Sequence, residues 1–392
     1  MSKIVFFCIP AHGHTNPTLG VVRELILRGH EVWYYSYHSM RKKIEATGAH
    51  FVSCDKYDPQ TKLSAEDGER IGKDLAFSTE LIVNMTLALD DAIIKDMLEL
   101  KPDVIVADSM AYWGKLIALK LGIPFVSSTT TFAFNKYSSK VIKSKHGNLF
   151  SMLFAMPKIN RSLNRLRAKG YAVKNILSII ANDNDTNTIV YTAPEFQPYA
   201  ETFSDKYTFV GASIRPITVP IKKLDAPTVY ISLGTVVNQR SDFYKNCITA
   251  FKNSPYRIIL SVGEYTDISS LGDIPENIDT VQQTDQMAAL AVSDVFITHC
   301  GMNSVNEALY FGVPMVLVPQ TPEQSGVANR TNELGAGLLL TGNGAQVIRN
   351  AVDTVLQNNS YKKAARSLSA SFHRLRGATA AADVIEKVMK ID

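Results

Sequence analysis

The chain has 392 residues, of which 46% are hydrophobic and 20% are charged. This length predicts two domains, and the composition excludes a disordered, collagenous or coiled-coil chain. The 41 lysine and arginine residues exceed the 37 aspartate and glutamate residues by four, a charge too weak to indicate a nucleic-acid or membrane surface. The cysteines Cys8, Cys54, Cys247 and Cys300 form no C-x-x-C pair, so neither a disulfide framework nor a zinc knuckle is expected.

The apolar run near the N-terminus is too short for a targeting or membrane segment. It covers residues 4–9 and stops at Pro10. No run of about 18 uncharged apolar residues, the length that a membrane-spanning helix needs, occurs elsewhere in the sequence. We therefore expect a reduced, cytoplasmic protein without membrane insertion.

Strand and helix patterns alternate through the first half of the chain. Short apolar runs typical of buried parallel strands occupy residues 4–9, 31–37, 104–107 and 125–128. Helical spacing of apolar residues covers residues 17–27 and 109–121. The alternation predicts a doubly wound α/β domain, in which the basic and aromatic stretch 135–178 looks like an insertion.

The same alternation restarts after a segment that contains Pro216, Pro220 and Pro227. These prolines exclude a helix or a central strand, so the segment is predicted to be a linker. The strands predicted after it are residues 228–233, 257–262, 295–298, 315–318 and 337–340. The first domain is predicted at residues 1–215, the linker at residues 216–227, the second domain at residues 228–375 and a C-terminal helix at residues 376–392.

We therefore predict an α/β chain with two Rossmann-like, doubly wound parallel-sheet domains that face a cleft. In such sheets, ligands bind outside the carboxyl ends of the strands. The candidate residues below all follow predicted strands.

Two histidines lie in the loop after the first predicted strand. His12 and His14 both precede Pro17, and an imidazole there can take up a proton near neutral pH. The residues alone do not choose between them as a general base. Asp108 follows another predicted strand and has two interpretations: an N-cap of the next helix, or a carboxylate that orients a base on the neighbouring loop.

The strongest local signal runs from Thr298 to Glu307. A buried strand meets a glycine turn there, then small polar residues and an amphipathic helix. The free N–H groups at Asn303 and Ser304 suit a pyrophosphate, and His299 adds a further donor. Glu307 lies one turn into the helix, where its carboxylate can accept two hydrogen bonds from a ribose diol.

Two more loops carry polar groups after predicted strands. Ser232 and Thr235 offer hydroxyls to a phosphate, and Glu323 with Gln324 suits the hydroxyls of a sugar. No G-x-G-x-x-G follows the first strand, and neither a P-loop nor a G-x-S-x-G motif occurs. A dehydrogenase, a P-loop nucleotidase and an α/β-hydrolase are therefore disfavoured.

Together these motifs resemble those of the family 1 UDP-glycosyltransferases of the GT-B fold, in particular the bacterial macrolide and natural-product glycosyltransferases. The resemblance runs from the first strand to the last helix. It is most specific at residues 299–304 with Glu307, followed by residues 312–314 and 323–324, and residues 13–17 and 102–108 match as well. It implies an inverting, metal-independent enzyme that moves a hexose, with glucose expected, from a UDP-sugar to a hydroxyl of a small hydrophobic acceptor such as a macrolide, flavonoid or other phenol. It implies no cofactor beyond this co-substrate, and we expect a monomer or weak dimer.

The resemblance also implies that the C-terminal helix, residues 376–392, crosses back to the first domain. It implies residue roles as well. His14 would be the general base and Asp108 its partner. The implied donor-binding residues are Ser232, Thr235, Gln283, Gln286, His299, Gly301, Asn303, Ser304, Glu307, Glu323 and Gln324. Many members stack a tryptophan on the uracil where this chain has Gln283, and they have Pro-Gln where it has Asp285-Gln286.

The acceptor pocket is expected in the first domain, lined by apolar side chains. The candidates are Phe77, Met85, Tyr112, Trp113 and Phe132, together with Phe134, Phe150 and Phe154. Ordinary core packing is the alternative for each of them. Two other functions stay open: a UDP-sugar epimerase or hydrolase, which turns over without an acceptor, and a nucleotide-sugar-binding protein without catalysis.

Overall fold

The computed structural model describes residues 1–57, 70, 74–138, 149–235 and 238–390, with the backbone alone for residues 57 and 149–154. The chain divides into two compact units. The first comprises Met1–Tyr191, Tyr199–Val210 and Ala378–Asp392, and the second comprises Thr192–Pro198 and Gly211–Gly377.

The sheet of the first unit is parallel at every described strand pair. Its strands are β1 Lys3–Phe7, β2 Glu31–Ser36, β3 His50–Ser53, β4 Val104–Asp108, β5 Phe125–Thr129, β6 Thr188–Val190 and β7 Tyr207–Phe209. Their order is β3-β2-β1-β4-β5-β6-β7, so the direction of winding reverses between β1 and β4. Phe7 pairs with Ala107 across this switch point, and Asp108 pairs with Ser128 on the next strand. The loops after β1 and β4 therefore start side by side.

Helices cover both faces of this sheet. They are α1 His12–Leu27, α2 Arg41–Glu45, α3 Leu75–Leu100, α4 Tyr112–Leu121, α5 Leu149–Ala168 and α6 Leu177–Ile180. The strands are buried on both faces because their side chains alternate between two apolar clusters. Ile4 and Phe6 join one cluster with α1, and Val5 and Phe7 join the other with α3 and α4.

The second unit repeats the plan with a shorter parallel sheet. Its described strands are β8 Thr228–Ser232, β9 Arg257–Ser261, β10 Ile278–Val281, β11 Val295–Thr298, β12 Met315–Leu317 and β13 Gly337–Leu339, in the order β10-β9-β8-β11-β12-β13. Its helices are α7 Ser241–Phe251, α8 Gln286–Val292, α9 Met302–Tyr310, α10 Pro322–Glu333, α11 Ala345–Gln357 and α12 Asn359–His373. The switch point lies between β8 and β11, where Ser232 pairs with Thr298.

The last helix, α13 Ala378–Met389, belongs to the first unit. It packs on α1, and four of its apolar side chains enter the core there: Ala381, Ala382, Ile385 and Val388. Arg28 at the end of α1 bonds Asp383 at 2.7 Å and Glu386 at 3.0 Å. His30 bonds the same Glu386 at 2.9 Å. Apolar burial and an ion-pair network therefore both hold this helix.

The predicted fold class is confirmed: both units are parallel-sheet α/β structures. The first helix begins at His12 instead of residue 17, so both candidate histidines lie in its first turn. Pro17 lies inside this helix as its sixth residue, where it donates no backbone hydrogen bond. The helix expected from residue 109 begins at Tyr112, with Ala111 as its N-cap, so Asp108 is not an N-cap.

The boundaries between the units also differ from the prediction. The second unit starts at Gly211 and includes residues 192–198, because this segment bonds helices of that unit. The Thr192 hydroxyl donates to Asn306 on α9 at 2.8 Å, and Arg330 on α10 donates to the Phe196 carbonyl at 3.0 Å. The predicted linker, residues 216–227, has no helix or strand but is bonded along the second unit. Thr218 donates to Asp285 through its N–H and its hydroxyl, and Lys223 pairs with Asp294 at 2.6 Å.

Across the part of the chain that the structure describes, no helix combines the length and the apolar character needed to cross a bilayer. All four cysteines are buried, and none of them forms a disulfide.

Candidate functional site

Three polar side chains meet at the switch point of the first unit. His14 lies in the first turn of α1, Asp108 ends β4, and Thr130 follows β5. They converge because β1, β4 and β5 are parallel neighbours, so the segments that leave their carboxyl ends lie together.

His14 and Asp108 form a short hydrogen bond. Nδ1 of His14 lies 2.8 Å from Oδ1 of Asp108, whose side chain has no exposed surface, whereas 17% of the His14 side chain is exposed. The other oxygen, Oδ2, accepts from the N–H of Met110 at 3.3 Å. The Thr130 hydroxyl also lies 3.0 Å from Nδ1. A carboxylate accepts the Nδ1 proton, which leaves the lone pair of the neutral ring on Nε2.

His12 has the opposite electrostatic surroundings. Its Nδ1 lies 3.0 Å from the ammonium of Lys43, a group that only donates. A neighbouring ammonium disfavours an imidazolium, whereas a buried carboxylate stabilises one. The contacts therefore favour His14 over His12 as a residue that takes up a proton.

His299 follows β11 in the second unit and is held between two glycine backbones. A Cβ at Gly234 would lie 2.5 Å from Cε1 of His299, and one at Gly301 would lie 2.5 Å from Nε2. The Nδ1 atom is buried, and no described residue meets hydrogen-bond geometry with it. Burial lowers the pKa of His299 to about 4, although a contact with the Ser232 backbone acts in the opposite direction. The imidazole is therefore neutral at pH 7.

The turn between His299 and α9 has an unusual backbone. Cys300 has a φ of 67°, in the left-handed region that costs a non-glycine residue about 1–2 kcal/mol. Its N–H donates to the Thr298 hydroxyl at 3.1 Å, which holds the turn. Gly301 then serves as the N-cap of α9, without a side chain between the first N–H groups of the helix and a ligand. Burial raises the pKa of the Cys300 thiol to about 12, so this thiol is unreactive.

Glu307 is buried in a polar network within α9 and its neighbours. Gln286 donates through Nε2 to Glu307 Oε2 and, at 3.2 Å, to the Ser304 hydroxyl. The hydroxyl of Tyr230 donates to Gln286 Oε1 at 3.3 Å, which fixes the orientation of the amide. Arg215 lies 3.7 Å from Glu307 Oε1. Burial raises the pKa of Glu307 to about 7, and Arg215 and Gln286 partly oppose the rise.

The remaining predicted donor-binding residues are less constrained. Gln324 caps its own loop, because its Oε1 accepts from the Gln320 N–H at 2.8 Å, and Glu323 is exposed beside it. Gln283 is exposed and its Nε2 lies 3.4 Å from Glu264. Thr235 is exposed as well. The structure thus brings Ser232, His299 and the start of α9 together, and places Gln283 on the surface.

The predicted acceptor residues separate into core and surface positions. Trp113 and Phe132 are buried, and Trp113 belongs to the core cluster under α4, which favours the packing interpretation for it. Tyr112 and Met85 are partly buried, and Phe77 is covered by the guanidinium of Arg70 at 4.0 Å. Phe134 is exposed, and the side chains of Phe150 and Phe154 lie outside the described residues.

Two residues at these sites were missed from the sequence. Thr130 contacts His14, and Arg215 contacts Glu307. Thr130 follows a predicted strand in the first unit, so its position was a usable signal. Arg215 lies in an irregular segment next to the predicted linker, and no sequence signal pointed to it. Taking only the described side chains, no three His, Cys, Asp or Glu residues are grouped as metal ligands.

Residues 225–389 match the family model described as UDP-glucoronosyl and UDP-glucosyl transferase. The chain is also similar to the NDP-glycosyltransferase YjiC of Bacillus licheniformis, with 34% identity over 396 residues that cover 98% of this chain and 96% of the relative. The chain belongs to the UDP-glycosyltransferase family. As a member, it is a glycosyltransferase that takes its sugar from a nucleotide sugar, which disfavours the epimerase or hydrolase alternative.

Relatives from natural-product pathways match this UDP-glycosyltransferase over nearly its whole length. The oleandomycin glycosyltransferase of Streptomyces antibioticus is 28% identical, with 98% of this chain and 90% of the relative covered. The crystal structure of CalG4, the calicheamicin glycosyltransferase, superimposes with a TM-score of 0.82 at 28% identity, covering 99% of this chain and 98% of that one. The predicted GT-B fold is confirmed.

Proposed function

We propose that this glycosyltransferase inverts the anomeric carbon of its donor, with His14 as the general base. The observation that carries the proposal is the 2.8 Å bond between His14 Nδ1 and the fully buried carboxylate of Asp108. Neutral His14 takes the proton of the acceptor hydroxyl at Nε2 while the oxygen attacks the anomeric carbon. Asp108 stabilises the resulting imidazolium and keeps the proton on Nδ1 in the neutral ring. A single displacement inverts the configuration.

The proposed donor site lies in the second unit, at the switch point between β8 and β11. The N–H groups at the start of α9, with the hydroxyls of Ser232 and Ser304, bind the diphosphate as it leaves. His299 is neutral at pH 7 and acts there as a hydrogen-bond donor. We propose that these groups stabilise the leaving diphosphate without a metal ion.

The proposed donor is a UDP-hexose, with glucose expected, and Glu307 is proposed to bind the ribose. The family description supports UDP, and the two oxygens of Glu307 suit a vicinal diol once Gln286 and Arg215 move aside. Glu323 and Gln324 are proposed to bind the hydroxyls of the sugar.

The proposed acceptor is a hydroxyl of a small hydrophobic natural product. The name of the oleandomycin glycosyltransferase supports this class. Among the predicted acceptor residues, the partly buried Tyr112, Met85 and Phe77 and the exposed Phe134 have surface to offer to an acceptor.

The test is His14→Ala, with His12→Ala as the matched control from the same helical turn. We expect His14→Ala to lower kcat by about 10²–10⁴-fold on a phenol or macrolide acceptor, because general-base assistance is lost. The UDP dissociation constant, measured by calorimetry, should not change. An active His14→Ala variant, or an equal loss in His12→Ala, would contradict the assignment. Proton NMR of the product reports the anomeric configuration, and retention would refute the single displacement.

A further inference from the structure

Arg240 reaches across the carboxyl end of the second sheet. It precedes α7 in the segment that follows β8, and its Nη1 donates to Oε1 of Gln320 at 3.2 Å. Gln320 follows β12. Because β11 lies between β8 and β12 in the sheet, this bond crosses above the end of β11, the strand that His299 follows.

The packing of the helices agrees with this path. α7 packs with α11 on one face of the sheet, whereas α9 packs with α10 and α12. Arg240 stands at the start of α7, and Gln320 stands just before α10. The bond between Arg240 and Gln320 therefore passes over the carboxyl ends of the strands and does not run along one face of the sheet.

Among the described residues, Arg240 has no ion-pair partner. None of the Asp or Glu side chains in the described ranges lies within ion-pair distance of it. Of the other charged groups at this end of the unit, Arg215 already faces Glu307 at 3.7 Å, and Asp285 accepts hydrogen bonds from Thr218. His299 adds no charge, because burial lowers its pKa to about 4.

Gln320 has unused hydrogen-bonding capacity at the same place. Its Oε1 accepts from Arg240, while its Nε2 is buried and has no partner among the residues that the structure describes. A buried amide N–H without a partner costs free energy, so this group is expected to find an acceptor in the liganded protein.

We propose that Arg240 is a further donor-contacting residue that binds the diphosphate of the nucleotide sugar, and that Gln320 is the positioning residue that holds it there. This inference rests on the proposed donor site around His299. During transfer, the bond between the acceptor oxygen and the anomeric carbon forms while the bond to the β-phosphate oxygen breaks. The electron pair stays on that oxygen, and the acceptor proton goes to His14. The Arg240 guanidinium stabilises the added negative charge.

The test compares UDP with UMP as ligands of Arg240→Met, since only UDP carries the β-phosphate. We expect calorimetry to show a loss of UDP affinity of about 10–100-fold, the range for a hydrogen bond to a charged group, with UMP affinity unchanged within about twofold. Arg240→Lys should retain part of the preference. Arg366→Met removes an exposed guanidinium from α12 of the same unit and should change neither affinity.

Gln320→Ala supplies a second measurement of the positioning role. It should reduce the UDP preference by itself and add little to Arg240→Met in the double variant, because both act through one guanidinium. An unchanged UDP/UMP ratio in Arg240→Met, or an equal loss for both nucleotides with an unchanged melting temperature, would overturn the inference. Wild-type protein that binds neither nucleotide would instead overturn the proposed donor site itself.

Discussion

The two units each place a histidine at the switch point of a parallel sheet, but in opposite surroundings. His14 follows β1 and bonds a fully buried carboxylate, which favours the protonated ring. His299 follows β11 and is packed between the backbones of Gly234 and Gly301, which favours the neutral ring. Both residues are histidines beside a switch point, His14 on the β1 side and His299 on the side that corresponds to β4. Their neighbours therefore decide the chemistry that we propose for them: a proton acceptor in one unit and a neutral hydrogen-bond donor in the other.

The largest effect is expected when the partner of His14 is neutralised. Asp108→Asn should lower kcat by about 10²–10⁴-fold, because an amide neither stabilises the imidazolium nor fixes the tautomer. UDP binding to the second unit should be unchanged. Steady-state kinetics with UDP-glucose and a phenol measures the effect. Asp91→Asn, an exposed carboxylate on α3, is the control and should keep full activity. Full activity of Asp108→Asn would show that His14 acts without its partner.

A smaller effect is expected when a methyl group fills the space around His299. In Gly301→Ala, the new methyl group would lie 2.5 Å from Nε2, so the ring must leave its position. We expect the free energy of unfolding to fall by about 1–3 kcal/mol, and UDP affinity to fall with it. Gly326→Ala in α10 is the control, because its Cβ meets no atom within 4 Å. This control should be neutral or stabilising by up to about 1 kcal/mol. Equal melting temperatures for both variants would contradict the packing of His299.

The third test measures how the stability of the second unit depends on pH through His299 and Glu307. The pKa of His299 falls from 6.5 to about 4 on folding, so the unfolded chain binds more protons there, and stability from this group is lost as pH falls below 6.5. The pKa of Glu307 rises from 4.5 to about 7, so stability from this group is present below pH 4.5 and is lost as pH rises towards 7. Between about pH 4.5 and 6.5, the two groups therefore change the free energy of unfolding in opposite directions as pH rises.

A variant that lacks one of these two groups should therefore show the pH dependence of stability that the other group causes. Compared with the wild type, His299→Gln should lose stability as pH rises from 5 to 6.5, and Glu307→Gln should gain it, by up to about 1.4 kcal/mol per pH unit. Urea unfolding at several pH values measures both. Parallel curves for the wild type and the two variants would mean that neither group has a shifted pKa.

Much of the fold could be predicted because buried parallel strands are continuous apolar runs. β11, at Val295–Thr298, was predicted to the residue, and β4 and β5 each extend one residue beyond the prediction. β3 was missed because its His50–Ser53 sequence is polar at both ends and lies at the sheet edge, where burial imposes little pattern. β6 and β7, three residues each, were missed as well.

The candidate site was predicted less completely, since its electrostatics depend on residues far apart in the chain. His12 and His14 share one helical turn, and their partners Lys43 and Asp108 lie 31 and 94 residues away. No local pattern reports such contacts. Arg240 likewise has no signal of its own, because its significance comes from the strand order that places β11 between β8 and β12.

The position of α13 in the first unit has a consequence for how the protein is made. The ribosome synthesises residues 378–389 only after the whole second unit, yet these residues supply core side chains and two of the three carboxylates that bond Arg28. The unit translated first is therefore completed last. Its nascent sheet keeps an uncovered apolar strip beside α1 while the second unit is already able to fold, and during that interval it is open to chaperones.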